Sequence, residues 1–216
     1  MMRLVVANLN YSSWSMRAYL GLKVAGADFR LHDVGMFEKP DWKENILQFS
    51  GAGTVPILVD GSLTVHESLA ILETIAERYP EAKLWPSDAA LRARARAISM
   101  EMACDFQELR SKMPCNLRSR AVRRPQDEKL DANIARVFDI FAASLSSTQG
   151  PYLLGDFGIV DCMYMPVLAR FRTYGVELPA LVQRYSDAVF AHPAVVDLEA
   201  LAKDTVAIPK YDEYLK

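Results

Sequence analysis

An α/β half followed by an all-helical half is the architecture predicted by this 216-residue sequence. Before Pro80, short aliphatic and β-branched runs alternate with stretches whose apolar residues recur at helical spacing. Within that half, Asp60-Gly61 stands between two alternating runs, and this dipeptide is favoured in two-residue hairpin turns. After Pro86 the apolar residues keep only the helical period.

Arg3 to Ala7 reads as a buried strand. A loop from Asn8 to Tyr11 leads into Ser12-Ser13-Trp14-Ser15-Met16-Arg17. This run starts a helix whose apolar positions Trp14, Ala18, Leu22 and Ala25 share a face and which Gly26 stops. Phe29 and Leu31 alternate in a second strand, and Trp42, Ile46 and Phe49 mark a short helix after Pro40. Val55 is pushed toward an extended backbone by the proline after it, and Pro56 has no N–H to give a ladder. Ile57 to Val59 form a third strand, and Leu63 with Val65 a fourth. Leu69, Leu72, Ile75, Ala76 and Tyr79 then repeat at helical spacing up to Pro80. The order β-α-β-α-β-β-α is the thioredoxin-like plan.

Glu81 to Asp88, with Trp85 and Pro86, reads as a linker, which divides the chain into residues 1–80, 81–88 and 89–216. From Asp88 as N-cap, Leu91, Ala95, Ile98, Met102, Phe106, Leu109 and Met113 predict one long helix as far as Pro114. Leu130, Ile134, Val137, Phe141 and Leu145 predict its antiparallel partner. Arg92, Arg94 and Arg96 fall on different faces and read as a solvated face or a subunit contact. Met102, Phe106 and Met113 read as core, with an apolar substrate pocket as the alternative. A helix carrying Pro166, expected to kink there, ends near Gly175. Two more helices follow, separated by His192-Pro193, and Tyr211 to Tyr214 reads as an ordinary surface tail, with closure over the cleft as the alternative.

Hydrophobic residues make up 51% and charged residues 24%, the balance of a globular chain with room for real cores. Twenty-five Lys and Arg against 27 Asp and Glu leave a formal charge of −2, which argues against nucleic acid or an anionic membrane and points to a small partner. Cys104, Cys115 and Cys162 make neither an even disulfide framework nor a closely spaced metal-ligand pair, so a reduced cytoplasmic protein without a metal is expected. No signal-peptide-like apolar run opens the sequence, and no window of about 18 residues is free of charge, so no membrane span is expected.

Three places carry chemistry. A cis bond before Pro56 would turn the N–H and C=O of Val55 outward, ready to pair with an extended peptide by strand addition. Glu67 and Ser68 stand at a helix N-terminus, where free N–H groups favour a carboxylate while the Glu67 side chain can hold an ammonium. That corner suits both halves of an α-amino acid; the plainer alternative is that Ser68 caps and Glu67 offsets the dipole. Ser12, Ser13 and Ser15 put hydroxyls at another helix N-terminus. With no cysteine there, dithiol exchange on the protein's own sulfurs is excluded, and without a nearby histidine a serine-hydrolase reading has little support.

The ordered set Val55-Pro56-x-Leu58, Asp60-Gly61 and Glu67-Ser68-x-Ala70-Ile71 resembles the glutathione-binding half of the soluble glutathione transferases. The resemblance implies that Val55, before a cis Pro56, pairs with the cysteinyl backbone of glutathione while Glu67 and Ser68 hold its γ-glutamyl end. Ser12-Ser13-x-Ser15-x-Arg17 is similar to the Ser-Ser-Cys-Ser-x-Arg motif of the zeta-type members, which implies Ser12 as the activating hydroxyl and Ser13 as a supporting one. Trp14 departs from that motif where the class has cysteine, which bears on its maleylacetoacetate isomerase chemistry. A hydrogen bond to a thiolate contributes about 1.5 to 3 kcal/mol and the helix end about 0.3 to 1. Together they would lower a thiol pKa by about 1 to 3. The alternative for either serine is a plain N-cap, worth about 1 kcal/mol.

The run Gly155-Asp156-Phe157-Gly158-Ile159-Val160-Asp161 is similar to the family's C-terminal signature, Gly-Asp followed by Ser/Thr-x-x-Asp. Here Gly158 takes the Ser/Thr place, and Asp161 is expected to serve folding. As a whole the resemblance implies a serine-type glutathione transferase, a homodimer, with glutathione as co-substrate and a small electrophile as its other partner. A glutathione-dependent isomerase of unsaturated acids, a halide-displacing enzyme and a non-catalytic interaction protein of the same fold are the alternatives.

Overall fold

In the computed structural model, which describes residues 1–36 and 40–216, the first aliphatic run forms β1 (Met2–Val6) in the interior of a four-stranded mixed sheet. On one side β1 pairs in parallel with β2 (Phe29–Asp33); on the other it pairs antiparallel with β3 (Ile57–Asp60), and β4 (Leu63–His66) adds antiparallel to β3. The order is β2-β1-β3-β4. Asp60 pairs with Leu63, so the turn residues are Gly61 and Ser62, one place later than the dipeptide signal implies, and Gly61 takes the left-handed backbone there (φ 59°). An ion pair with Arg78 holds the Asp60 side chain on the strand side of that turn.

Alternation along β1 sends neighbouring residues to opposite faces of the sheet. Val5 and Ile57 pack with Ile46 of α2 (Trp42–Leu47), while Leu4, Val6 and Leu58 join the main core with α1 (Ser13–Val24) and α3 (Ser68–Arg78). The two core-side helices approach closely at Gly21, where an added Cβ would sit 2.0 Å from a Leu72 methyl.

All regular structure after Arg78 is helical. The single long helix expected from Asp88 to Met113 is two helices, α4 (Ala89–Cys104) and α5 (Gln107–Lys112). The backbone turns left-handed at Phe106 (φ 59°), and the Arg110 guanidinium takes the carbonyls of Met102, Ala103 and Asp105 at the α4 end. The apolar period runs through the break because Phe106, Leu109 and Met113 all still reach the core. Met102, Phe106 and Met113 are core residues, as the plainer sequence reading has them.

Four further helices, α6 (Glu128–Leu145), α7 (Ile159–Tyr174), α8 (Ala180–Ala191) and α9 (Pro193–Lys203), precede the short α10 (Pro209–Asp212). Helix α7 is buried along nearly all its length, runs through Pro166, and packs on α1 and α4. The linker docks onto its start: the Ile159 N–H donates to the Leu84 carbonyl at 2.9 Å. A side chain at position 158 would place its Cβ 2.6 Å from that carbonyl, which is the local reason for glycine where the related motif has Ser or Thr. Asp161 supplies its half of the cap, accepting from the N–H groups of Gly158 (3.0 Å) and Leu153 (3.1 Å). Among the described residues no helix is long and apolar enough to cross a membrane.

Candidate functional site

The loop after β1 sets up the serine turn. The N–H groups of Tyr11 and Ser12 both donate to the Asn8 carbonyl, and the Asn8 side chain accepts from the Asn10 N–H. Ser12 then caps α1, its Oγ accepting from the Ser15 N–H at 3.4 Å and donating to the Ser15 Oγ at 2.8 Å. The Ser15 hydroxyl also accepts from the Ala7 N–H (3.3 Å), which ties the helix start to the end of β1. Ser13, one residue into the helix, accepts from Arg170 of α7 at 3.2 Å. Both Ser12 and Ser13 are buried, at 6% and 5% exposure.

Position 14 is occupied in a way the motif comparison leaves open. The Trp14 ring is in cation–π range of two arginines, with the guanidinium of Arg17 4.2 Å and that of Arg110 5.6 Å from its centroid. Arg17 is wholly buried; burial, with the facing charges of Arg170 and Arg110, lowers its guanidinium to about 9, which leaves it protonated at neutral pH.

The Val55–Pro56 bond is cis. Pairing of β3 begins at Ile57 on both sides, so Val55 lies upstream of both ladders, half-buried, with Pro56 buried beside it. At the far end of the hairpin Glu67 holds a left-handed backbone (φ 68°, ψ 127°), uncommon for a residue with a Cβ. The Glu67 side chain makes no cap bond to α3, so the first N–H groups of the helix are open to a ligand. Ser68 is buried and Glu67 exposed.

A cavity of about 610 Å³ joins these two helix starts. Trp14 forms one wall, Glu67 and Ser68 the polar corner, and Leu69, Met100 and Ala103 an apolar side between α3 and α4. Glu73 braces the far end, its carboxylate held by Arg96 (3.1 Å) and the Trp85 indole N–H (2.8 Å). Of the residues singled out in the sequence, Glu67 and Ser68 line this cavity, whereas Ser12, Ser13, Val55 and Pro56 lie outside its lining.

The C-terminal segment, which the sequence reading takes as an ordinary surface tail from Tyr211, instead holds the serine loop. Tyr11 donates its hydroxyl to Asp212 (2.9 Å), accepts from the Ile208 N–H (3.1 Å) and from Arg118 (3.3 Å), and stacks on Tyr211 at 5.2 Å. Asn116 donates to the same Asp212 oxygen (2.9 Å), and its own side-chain oxygen accepts from Asn10 (2.9 Å). Residues 206–212 therefore strap the loop that carries Ser12, and the Tyr11 hydroxyl is fully occupied in that strap. The density of tyrosines in the last residues was the only signal for it.

Comparison with known proteins adds to this geometry. Residues 11–78 match the family model described as glutathione S-transferase, N-terminal domain, and residues 89–197 match that of the C-terminal domain. The chain is 30% identical to a maleylacetoacetate isomerase of Pseudomonas aeruginosa over 209 residues, covering 89% of this chain and 93% of that one. It is 28% identical to glutathione S-transferase 1 of Dianthus caryophyllus, covering 82% and 80% of the two chains. Among solved structures, a glutathione transferase homolog from Burkholderia with bound glutathione is similar with a TM-score of 0.73 at 25% identity, over 95% of this chain and 99% of that one. A zeta-class maleyl pyruvate isomerase shares the fold, with a TM-score of 0.73 at 24% identity.

Proposed function

The chain belongs to the glutathione S-transferase family, a family of transferases, and from that premise we propose that it activates glutathione with Ser12 for attack on a small electrophile. The observation that carries this reading is the uncapped start of α3, where Glu67 and Ser68 share one cavity with Trp14 from the first turn of α1. A γ-glutamyl group fits that corner chemically, its carboxylate on the free N–H groups and its ammonium against Glu67. The cysteinyl part would pair with the backbone of Val55, which neither ladder uses, beside Pro56.

The proton inventory at Ser12 suits thiolate stabilisation. Its oxygen has two lone pairs and one proton. Here the Ser12 oxygen accepts from the Ser15 N–H and its proton goes to the Ser15 oxygen at 2.8 Å; with glutathione bound, that proton would turn to the sulfur while the Ser15 hydroxyl donates back to Ser12. A chain of donors of this kind is cooperative, and the dipole of α1 adds to it. The glutathione S–H loses its proton to solvent. The sulfur then forms a bond to the electrophilic carbon, and the leaving group departs with the displaced electron pair. Rate comes from thiolate fraction and positioning.

A second reading is supported by the kinship to the Pseudomonas maleylacetoacetate isomerase. The same thiolate would add to the double bond of an unsaturated acid, allow rotation about the resulting single bond, and leave again. Trp14, in contact with the guanidiniums of Arg17 and Arg110, stands at the place of the zeta-type cysteine in this reading. A homodimer and a cytoplasmic setting belong to the proposal.

Calorimetric titration with glutathione, followed by turnover of aryl halides and of cis-unsaturated diacids, tests both readings. Binding with conjugate formation supports the transferase, and cis-to-trans conversion without net glutathione consumption supports the isomerase. Absence of binding would sink both, and binding without turnover would leave an interaction module.

A further inference from the structure

Two guanidinium groups are buried against the serine turn without a carboxylate partner among the described residues. Arg170 of α7 is 3% exposed, and its three nitrogens donate to neutral oxygens: the Met113 carbonyl (2.8 Å), the Pro166 carbonyl (3.1 Å) and the Ser13 Oγ (3.2 Å). Arg17 of α1 is 0% exposed; its Nε donates to the Met163 carbonyl at 3.0 Å, and both terminal nitrogens lack a partner among the described residues. The titratable groups facing the pair are Arg110 of α5, Cys115 in the segment after it, Tyr164 and Tyr174 of α7, and Tyr211 of the C-terminal strap. None of these is a carboxylate, and among the described residues neither arginine makes a salt bridge.

Buried charge of one sign is costly unless a counter-charge comes to it. The place where this charge meets the serine turn is Ser13. Its oxygen accepts from Arg170, and no acceptor among the described residues takes its proton. We propose that Arg170 is a positioning residue for thiolate formation: it holds the Ser13 lone pair inward so that the Ser13 proton is given to the ligand sulfur as a second donor, and with Arg17 it supplies the uncompensated positive charge that the thiolate neutralises. The inference rests on the reading that glutathione binds with its sulfur at the start of α1.

The test titrates the near-ultraviolet absorbance of the thiolate in the bound complex, with the affinity for S-methylglutathione measured in parallel, since that ligand has no thiol proton. Arg170→Met raises the apparent pKa of the bound thiol by about 1, an approximately tenfold loss of thiolate at pH values below it. Ser13→Ala raises it by a similar amount, and the double variant by less than the two effects together, because the arginine acts partly through the serine. Arg170→Lys, which keeps the charge, recovers part of the shift. Affinity for S-methylglutathione stays within about twofold throughout, a pattern that general loosening of the fold would not produce. A titration that Ser13→Ala leaves unchanged overturns the proposal even if Arg170→Met fails to fold. Wild-type protein that binds neither ligand overturns the underlying glutathione reading as well.

Discussion

Replacing Ser12 by glycine separates the two jobs assigned to its hydroxyl. As a cap it accepts one backbone N–H at 3.4 Å, at the long end for such a bond. Losing that bond costs about 0.5 kcal/mol in the alanine variant and about 0.3 in the glycine variant, and losing the 2.8 Å bond to the Ser15 hydroxyl adds about 1 in either. For a chain of this length the glycine variant should fall by about 3 to 5 °C in melting temperature. As a donor to a thiolate the same hydroxyl contributes about 1.5 to 3 kcal/mol, or about 1 to 2 in the pKa of bound glutathione. The larger effect is thus on the ligand and the smaller on the fold. The assay is the pH titration of bound-thiolate absorbance under saturating glutathione, with calorimetric melting of the same samples. Ser12→Gly is expected to melt only a few degrees below the wild type while its thiol titrates about 1 to 2 pH values higher. A titration that overlays the wild type would reduce Ser12 to the cap and remove it from the chemistry.

Glu67→Gln removes the charge facing the ligand ammonium while keeping its shape. Because Glu67 is exposed, screening limits the loss to about 1 kcal/mol, so calorimetry should show roughly fivefold weaker glutathione binding; undiminished affinity would exclude the contact. Gly158→Ser introduces a Cβ 2.6 Å from the Leu84 carbonyl. The linker must shift at a cost of about 1 to 3 kcal/mol, which outweighs the few tenths gained from a better cap. Thermal melting should fall by several degrees, and a rise would refute the close approach. Asp161 is raised by burial to about 6 from its ordinary 3.8, with the Gly158 and Leu153 N–H groups pulling it partly back. The native state then binds the extra proton between those values, so stability falls as pH rises from 3.8 to 6, by about 3 kcal/mol, and this contribution is flat above. Asp161→Asn should lose that dependence. An equal stability difference between wild type and variant at pH 4 and pH 7 would show the acid is not shifted.

Much of the molecule follows from chemistry acting within a few residues of chain. The hairpin follows from Asp60-Gly61 and its alternating flanks, the α1 cap from Ser12, and the α4 start from Asp88, whose side chain accepts from the Leu91 N–H. The helix start at Glu67 and Ser68 is legible for the same reason, whereas the cis form of the bond before Pro56 is what the family resemblance implies. The break at Phe106 was not legible, because apolar spacing reports which residues face the core and is blind to a single backbone reversal that keeps them there. Nor could any local pattern show that Arg170 from the helical half reaches Ser13, that Leu84 excludes a side chain at position 158, or that Asp212 and Tyr211 hold the loop before Ser12. Local order comes from torsional preference and short-range hydrogen bonding, which a sequence displays directly. Those three arrangements exist only once distant segments are packed together, because burial decides which polar groups must find one another.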